Sequence, residues 1–298
     1  MRHPTLIVGA GYIGTRLITE LSQRGVNTLA AVSRERSAAR LKKDGIQALC
    51  IDLDDPSASL ELPLLDSVVY LVPPRRDSDD DTRFARLLDA LPDCVSTVLY
   101  VSTTGVYGDQ QGRRVDETCP PAPQSGRAHR RLNAERLVQQ HCEAHDRAWF
   151  IARVPGIYGP GRLPLQSIAE RRPIIQLSEA NPGNRIHRDD LAFSLADLLT
   201  LGRDGALIHR IYNIGDNHHM SGSQFTLEVA RLADLTPPPQ ISREQMKASA
   251  SAIRWSFLAE SRRLDSRRLT AVLTKPLRYA DPVDGICASL EAPDDPAA

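Results

Sequence analysis

An α/β architecture, in which a doubly wound parallel sheet is followed by a smaller C-terminal lobe, is predicted by three observations. Short apolar runs alternate with amphipathic segments through the first 160 residues, the rhythm of parallel strands joined by crossover helices. The first apolar run ends in a glycine-rich turn that opens a helix. After residue 160 the rhythm breaks into shorter elements separated by prolines and glycines, and 298 residues suffice for one large domain or two modest ones.

Taken in order, TLIVGA (5–10) is a continuous apolar run, the pattern of a strand buried on both faces. Ile13, Leu17 and Leu21 then recur at helical spacing, and Gly25 is a stop signal. NTLAAVS (27–33) is the second strand, followed by a charged helix over 37–43. ALCIDL (48–53) and DSVVYLVPP (66–74) are strands, the latter closed by prolines. Phe84, Leu87, Leu88 and Leu91 share one face of a helix over 81–91. STVLYVSTTGVYG (96–108) is a fifth strand with a hydroxyl-rich end, RRLNAERLVQQHCEAH (130–145) a helix, and AWFIARVPGIYG (148–159) a sixth strand. Beyond these, helices at 189–201 and 223–233 flank a strand at 210–214, and TPPPQ (236–240) is a stiff turn. The charged run RRDSDDDTR (75–83) reads as a solvated loop.

Composition narrows the function. The formal net charge is zero, which gives no electrostatic footprint for nucleic acid or an anionic membrane. No apolar stretch approaches the ~20 residues a membrane helix needs, and no charged-then-apolar leader precedes the first strand. The five cysteines are scattered with no CxxC pair, as suits reduced thiols. A cytoplasmic protein acting on a small molecule is the expectation.

Gly9-Ala10-Gly11-Tyr12-Ile13-Gly14 is G-x-G-x-x-G, placed between a strand and a helix as dinucleotide binding requires. The first glycine permits the turn, the second lets backbone approach a pyrophosphate, and the third lets helix pack on strand. A Rossmann-type dinucleotide-binding unit is therefore expected over 1–160, a partly interleaved substrate lobe over 161–290, and a frayed tail over 291–298. At the end of the second strand, Val32-Ser33-Arg34-Glu35-Arg36 leads with a guanidinium. Ser33 and Arg34 suit a 2′-phosphate, so NADP is favoured, and Glu35 keeps NAD as the alternative.

VGAGYIG, CIDLDD, VSTTGVYGD, RVPGIYGPGR, NRIHRDDLA and YNIG, in that order along nearly the whole chain, resemble the NAD(P)-dependent epimerase/dehydratase family. These are the extended and atypical short-chain dehydrogenase/reductases, and GAGYIG is most similar to the atypical, YeeZ-like branch. The resemblance implies cofactor contacts at Asp52 and Leu53, at Val72 and Pro73, at Ser102, and at Val154 and Pro155. It also implies substrate contacts at Thr104, Tyr107 and Arg162, a structural helix-start role for Asp190, and a homodimer paired through the helices at 81–91 and 130–145.

Catalysis in that family rests on a Ser/Thr, a Tyr and a Lys. Thr103 occupies the Ser/Thr position, while Thr104 and Gly105 stand where sugar 4,6-dehydratases carry Asp and Glu. A dehydratase would thus lack its acid and base. With Glu135 matching the Glu that follows the Lys, Arg131 takes the Lys position and Arg127 the Tyr position; no tyrosine lies between Tyr107 and Tyr158. An arginine does not titrate near neutrality, so the family's proton transfer does not carry over unchanged.

Other chemistry-bearing residues have ordinary explanations. His141, Cys142 and His145 read as a polar helix end rather than a metal site, because HCEAH misplaces the carboxylate of H-E-x-x-H. His187 reads as structural, His218 and His219 as loop or cleft residues, and Cys119 as unactivated. Two functions remain. One is an NADP-dependent oxidoreductase or epimerase using Thr103, with Arg127 and Arg131 as electrostatic stabilisers and water or His129 as proton carrier. The other is a non-catalytic NADP(H)-binding sensor or scaffold.

Overall fold

The computed structural model describes residues 3–57 and 60–292. In chain order its strands are β1 (Thr5–Val8), β2 (Thr28–Val32), β3 (Ala48–Cys50), β4 (Ser67–Tyr70), β5 (Thr97–Thr103), β6 (Arg114–Val115), β7 (Ala148–Val154), β8 (Gly156–Tyr158), β9 (Ile174–Ile175), β10 (Arg185–His187), β11 (Ile211–Asn213), β12 (Gln240–Ile241) and β13 (Arg263–Leu264). Its α-helices are α1 (Tyr12–Gln23), α2 (Glu35–Lys43), α3 (Thr82–Asp89), α4 (Gly126–Ala144), α5 (Leu165–Ala169), α6 (Arg188–Arg203), α7 (Gly222–Leu232), α8 (Arg243–Ser249), α9 (Ala252–Leu258), α10 (Arg267–Thr270) and α11 (Pro282–Glu291).

Seven strands form one sheet of order β11-β7-β5-β4-β1-β2-β3, parallel at every pairing. The strand alternation of side chains assigns each residue to a helical layer. Ile7, Ala30, Val69 and Leu99 join Leu17, Leu21, Leu41 and Leu195 on the α1, α2 and α6 side. Leu6, Val8, Val68 and Tyr100 join Phe84, Leu87, Leu88 and Val138 on the α3 and α4 side. Because both faces are covered, the strands read as unbroken apolar runs. The strand order reverses between β1 and β4, and a crevice opens there at the carboxyl ends of the strands.

Past residue 160 the chain both builds a small lobe and returns to the sheet. Strand β11 extends the sheet at its edge, whereas the two-stranded pairs β8–β10, β9–β12 and β6–β13 lie outside it. Tyr158, Ile168, Phe225, Val229 and Ile286 form the lobe's own apolar centre.

β3 and β4 end earlier than expected, at Cys50 and Tyr70, and α2 starts earlier, at Glu35. Three further boundaries differ for a local reason. The apolar run at 148–159 divides at Pro155, which has no N–H for the ladder, and β8 then pairs with β10 instead. The run at 96–108 ends as strand at Thr103; residues 104–107 coil into a 3₁₀ turn closed by Gly108 at φ 63, where a Cβ would lie 2.1 Å from the Ala122 carbonyl oxygen. Helix α4 begins at Gly126 rather than 130, since the Ser125 carbonyl already accepts from the Ala128 and His129 amides. Arg127 therefore sits in its first turn. At the C-terminus Glu291 closes α11, and residues 293–298 of the expected tail lie outside the described residues. No helix among the described residues is long and apolar enough to cross a membrane.

Candidate functional site

Each glycine of the first turn has a distinct geometric duty. Gly9 adopts φ +90, and a Cβ there would approach Val72 Cγ2 to 3.0 Å. A Cβ on Gly14 would meet the Gly9 carbonyl oxygen at 2.7 Å, so its absence lets α1 pack on the turn. At Gly11 a Cβ would meet nothing within 4 Å: that space opens to the crevice. The crevice, a cavity of about 360 Å³, is lined by the candidate cofactor residues Gly9, Gly11, Ser33, Leu53, Val72 and Pro73, and also by Ser37, Arg40, Asp54 and Arg83. An open glycine cradle at a helix start beside an apolar slot fits a dinucleotide.

Other residues expected at the cofactor stand elsewhere. Arg34 is exposed, is the N-cap of α2 and does not line the crevice. Asp52 is exposed and accepts from the Asp54 amide at 2.8 Å. Ile13 is partly buried against the core, Val154 is buried at the end of β7, and Pro155 lines a second cleft. Tyr12 is buried and its hydroxyl donates to the Pro160 carbonyl at 2.9 Å.

That second cleft, about 500 Å³, runs between the sheet's end and the small lobe. The candidate substrate residues Thr104 and Arg162 line it, together with Arg185, Arg254, Glu260 and Arg262. Arg162 lies 3.9 Å from the centroid of the Tyr12 ring, joining the cleft to the start of α1. Arg185 is stacked over Phe225 at 4.3 Å, and its burial pulls the guanidinium down to about 10. Arg262 bridges Glu260 and the Gly108 carbonyl, both at 2.7 Å. Glu260 is the only carboxylate lining the cleft among the described residues, against four arginines. Nothing in the local pattern around Glu260 marked it, because it reaches the cleft from a turn far along the chain.

The expected catalytic trio is not joined into one hydrogen-bonded group among the described residues. Thr103 Oγ1 accepts from the Gly105 amide at 3.2 Å. The Arg131 guanidinium donates to the Val101 carbonyl (2.9 Å), the Tyr100 hydroxyl (3.1 Å) and the Val72 carbonyl (3.4 Å), tethering the ends of β4 and β5. Arg127 lies over the Phe257 ring at 3.5 Å, partly desolvated, with Glu260 and Arg262 in its electrostatic surroundings.

Ser102 and Tyr107 depart from their expected places at cofactor and substrate. Ser102 points to the opposite face of β5 from Thr103 and donates to Glu135 at 2.5 Å. Glu135 also receives Arg153 through Nε (3.1 Å) and Nη2 (2.7 Å), so its partner is Arg153, not Arg131. Arg153 lies over the Tyr107 ring, and the Tyr107 hydroxyl donates to Asn213 at 2.8 Å. Burial pushes that phenol up to about 12, so it is neutral structural scaffolding.

The remaining polar motifs are structural. His187 is buried, its Nδ1 accepts from the Asp189 amide at the start of α6, and burial pulls it down to about 4. Asp190 accepts from the Arg278 and Tyr279 amides, both at 2.8 Å, fastening that segment to α6. The His141 and His145 rings stack at 4.2 Å.

Beside Arg185, Asp216 is buried with Oδ1 accepting from the His218 amide and Oδ2 unpartnered; burial pushes it up to about 7 from an ordinary 3.8. The folded chain thus keeps a proton that the unfolded chain has released, so this group lowers stability as pH rises from about 4 to about 7, with no further change above. Asp216→Asn is expected to gain stability relative to wild type as pH rises from 5 to 8. Urea midpoints that shift in parallel for both proteins would refute this.

A family model for the NAD dependent epimerase/dehydratase family matches residues 5–180. Protein YeeZ of Escherichia coli K12 is 29% identical over 248 residues, which cover 78% of this chain and 84% of YeeZ. A solved structure of a functionally unknown conserved protein from Silicibacter pomeroyi DSS aligns with TM-score 0.82 at 28% identity, over 96% of this chain and 98% of that one. UDP-glucose 4-epimerase of Thermus thermophilus, solved with NAD, aligns with TM-score 0.71 at 21% identity over 98% of both chains, a likeness of fold.

Proposed function

This chain belongs to the NAD dependent epimerase/dehydratase family, and from that premise we propose that it is an NADP-preferring oxidoreductase or epimerase acting on an anionic, sugar-nucleotide-like metabolite. The observation that carries the reading is the contact between Tyr12 and Arg162: the first residue of the helix that follows the glycine turn packs against a guanidinium of the arginine-lined cleft. A ligand in the cleft and a dinucleotide along the turn would therefore meet. Residues 161–290 supply most of that cleft. Four arginines facing one carboxylate favour a negatively charged substrate.

When bound, the nicotinamide would accept or return a hydride at the substrate carbon. Thr103 and Thr104 place hydroxyls at the end of β5 to hold the substrate oxygen. Arg127 and Arg131 supply positive potential rather than a proton. Glu260, beside Arg127 and Arg262, takes the hydroxyl proton on oxidation and returns it on reduction, a task better suited to it than to exposed His129, whose Nδ1 lies 3.1 Å from the Ser125 carbonyl oxygen. The five unpaired cysteines fit a cytoplasmic setting. A homodimer through α3 and α4 would be a polar one, since Arg136, Gln139, Gln140 and Glu143 are exposed; light scattering at micromolar concentration tests it.

The functional test is nicotinamide absorbance across a panel of nucleotide sugars and simple carbonyls, preceded by titration with NADPH and NADH. Glu260→Gln is expected to lower turnover about 100-fold while leaving dinucleotide affinity unchanged. Failure of the wild type to bind either dinucleotide would overturn the reading. Binding without turnover of any compound would overturn its catalytic part, as would turnover indifferent to both Glu260→Gln and Thr103→Ala.

A further inference from the structure

The cleft between the sheet's end and the small lobe offers a ligand two kinds of surface. Of its four arginines, only Arg262 forms an ion pair among the described residues, with Glu260 at 2.7 Å. Arg162 packs on the Tyr12 ring, Arg185 packs on the Phe225 ring, and Arg254 donates to the Pro173 carbonyl at 2.8 Å. Asp216 stands near Arg185, yet no hydrogen bond joins them and its Oδ2 is unpartnered. The wall is shaped around that guanidinium, since a Cβ on Gly183 would lie 2.8 Å from Arg185 Nη1. Three guanidiniums with no carboxylate bonded to them favour an anion.

The second surface is apolar. Ile157, Ile174, Met246, Phe257 and Leu258 line it. Phe257 is 60% exposed although Arg127 packs on its ring, and α9 buries none of its residues. The neutral hydrogen-bonding groups of the wall are mostly spent inside the protein. Asn181 donates to the Leu258 and Glu260 carbonyls, Asn184 to the Arg262 carbonyl, Ser223 to the Ile175 carbonyl and Thr226 to the Gly222 carbonyl. A bare sugar would give up water at each hydroxyl for few open partners. An apolar ring or chain would instead take Phe257 and Leu258 out of water.

We infer that this cleft selects an amphipathic organic anion, its charge drawn by Arg162, Arg185 and Arg254 and its apolar ring or chain lying against Phe257 and Leu258 of α9. The inference rests on the anionic reading of the cleft above and narrows the ligand class: an apolar group on the anion is preferred to a bare sugar.

Calorimetric titration of the intact chain with cyclohexyl phosphate and glucose 1-phosphate tests it, because both carry one phosphate on a saturated six-membered ring and differ chiefly in hydroxyls. Cyclohexyl phosphate is expected to bind at least about 10-fold more tightly, and cyclohexanol, which lacks the charge, not measurably. Phe257→Ser, at an exposed position, is expected to weaken cyclohexyl phosphate about 5-fold and glucose 1-phosphate less than about 2-fold. Arg162→Gln is expected to weaken both phosphates by about 5-fold or more. Glucose 1-phosphate binding as tightly as cyclohexyl phosphate, or a Phe257→Ser variant that treats the two alike, would overturn the inference while leaving an anion site in place. Binding of neither phosphate by the wild type, or indifference of both to Arg162→Gln, would overturn the anionic reading as well.

Discussion

Gly11→Val is expected to weaken NADPH binding by about 100-fold or more while moving the thermal midpoint by no more than about 2 °C. The glycines of the first turn separate into those that serve the fold and one that serves the ligand. At Gly9 a side chain meets strain and Val72, and at Gly14 it meets the Gly9 carbonyl oxygen, so substitution there would disturb α1 itself. At Gly11 no protein atom lies within 4 Å of the missing Cβ, so the isopropyl group would occupy space where a pyrophosphate would approach the helix start. Gly11→Ala should give an intermediate loss. Titration and thermal unfolding on the same preparations check both halves of the statement. A Gly11→Val protein that binds NADPH within about 3-fold of wild type would place the pyrophosphate elsewhere.

Glu135→Leu is expected to cost about 3–5 kcal/mol of stability, the largest single loss outside the apolar core. Glu135 and Arg153 are each 3% exposed and joined by two hydrogen bonds, with Ser102 adding a third to the carboxylate. Burial works against the Arg153 charge, and the attraction of Glu135 overcomes it, holding the guanidinium protonated. Removing Glu135 leaves that charge buried among Ser102, Tyr107 and the sheet. Replacing both partners, as Glu135→Leu with Arg153→Met, is expected to recover most of the loss, because two desolvation penalties vanish together. Urea unfolding of the two singles and the double measures the coupling. A single-variant cost under about 1 kcal/mol, or strict additivity, would show that the pair contributes little. Since Tyr107 ends the 3₁₀ turn that Thr104 begins, the network also steadies the hydroxyl-bearing end of β5.

The amino-acid sequence by itself determined the seven strands of the main sheet, their parallel arrangement and the glycine turn, because each depends on local periodicity and on backbone geometry that glycine permits, whereas the short paired strands of the small lobe carry no such period. The family resemblance pointed to Leu53, Val72 and Pro73, and all three line the crevice, because each follows the carboxyl end of a strand of the one parallel sheet. Ser102 could have been placed from strand alternation alone: next to Thr103 on β5, it must face the other layer. Tertiary packing alone decided the rest. Arg40 reaches the crevice because Ala38 and Leu41 fix the roll of α2. Arg131 donates to two groups of β5 and to the Val72 carbonyl just past β4, and Arg127 finds the ring of Phe257 from a helix over a hundred residues away. Glu260 enters the cleft only when the lobe closes against the sheet. Those placements are set by long-range side-chain packing, which has no period along the chain, and so the cofactor turn was legible from sequence while the chemistry beside it was not.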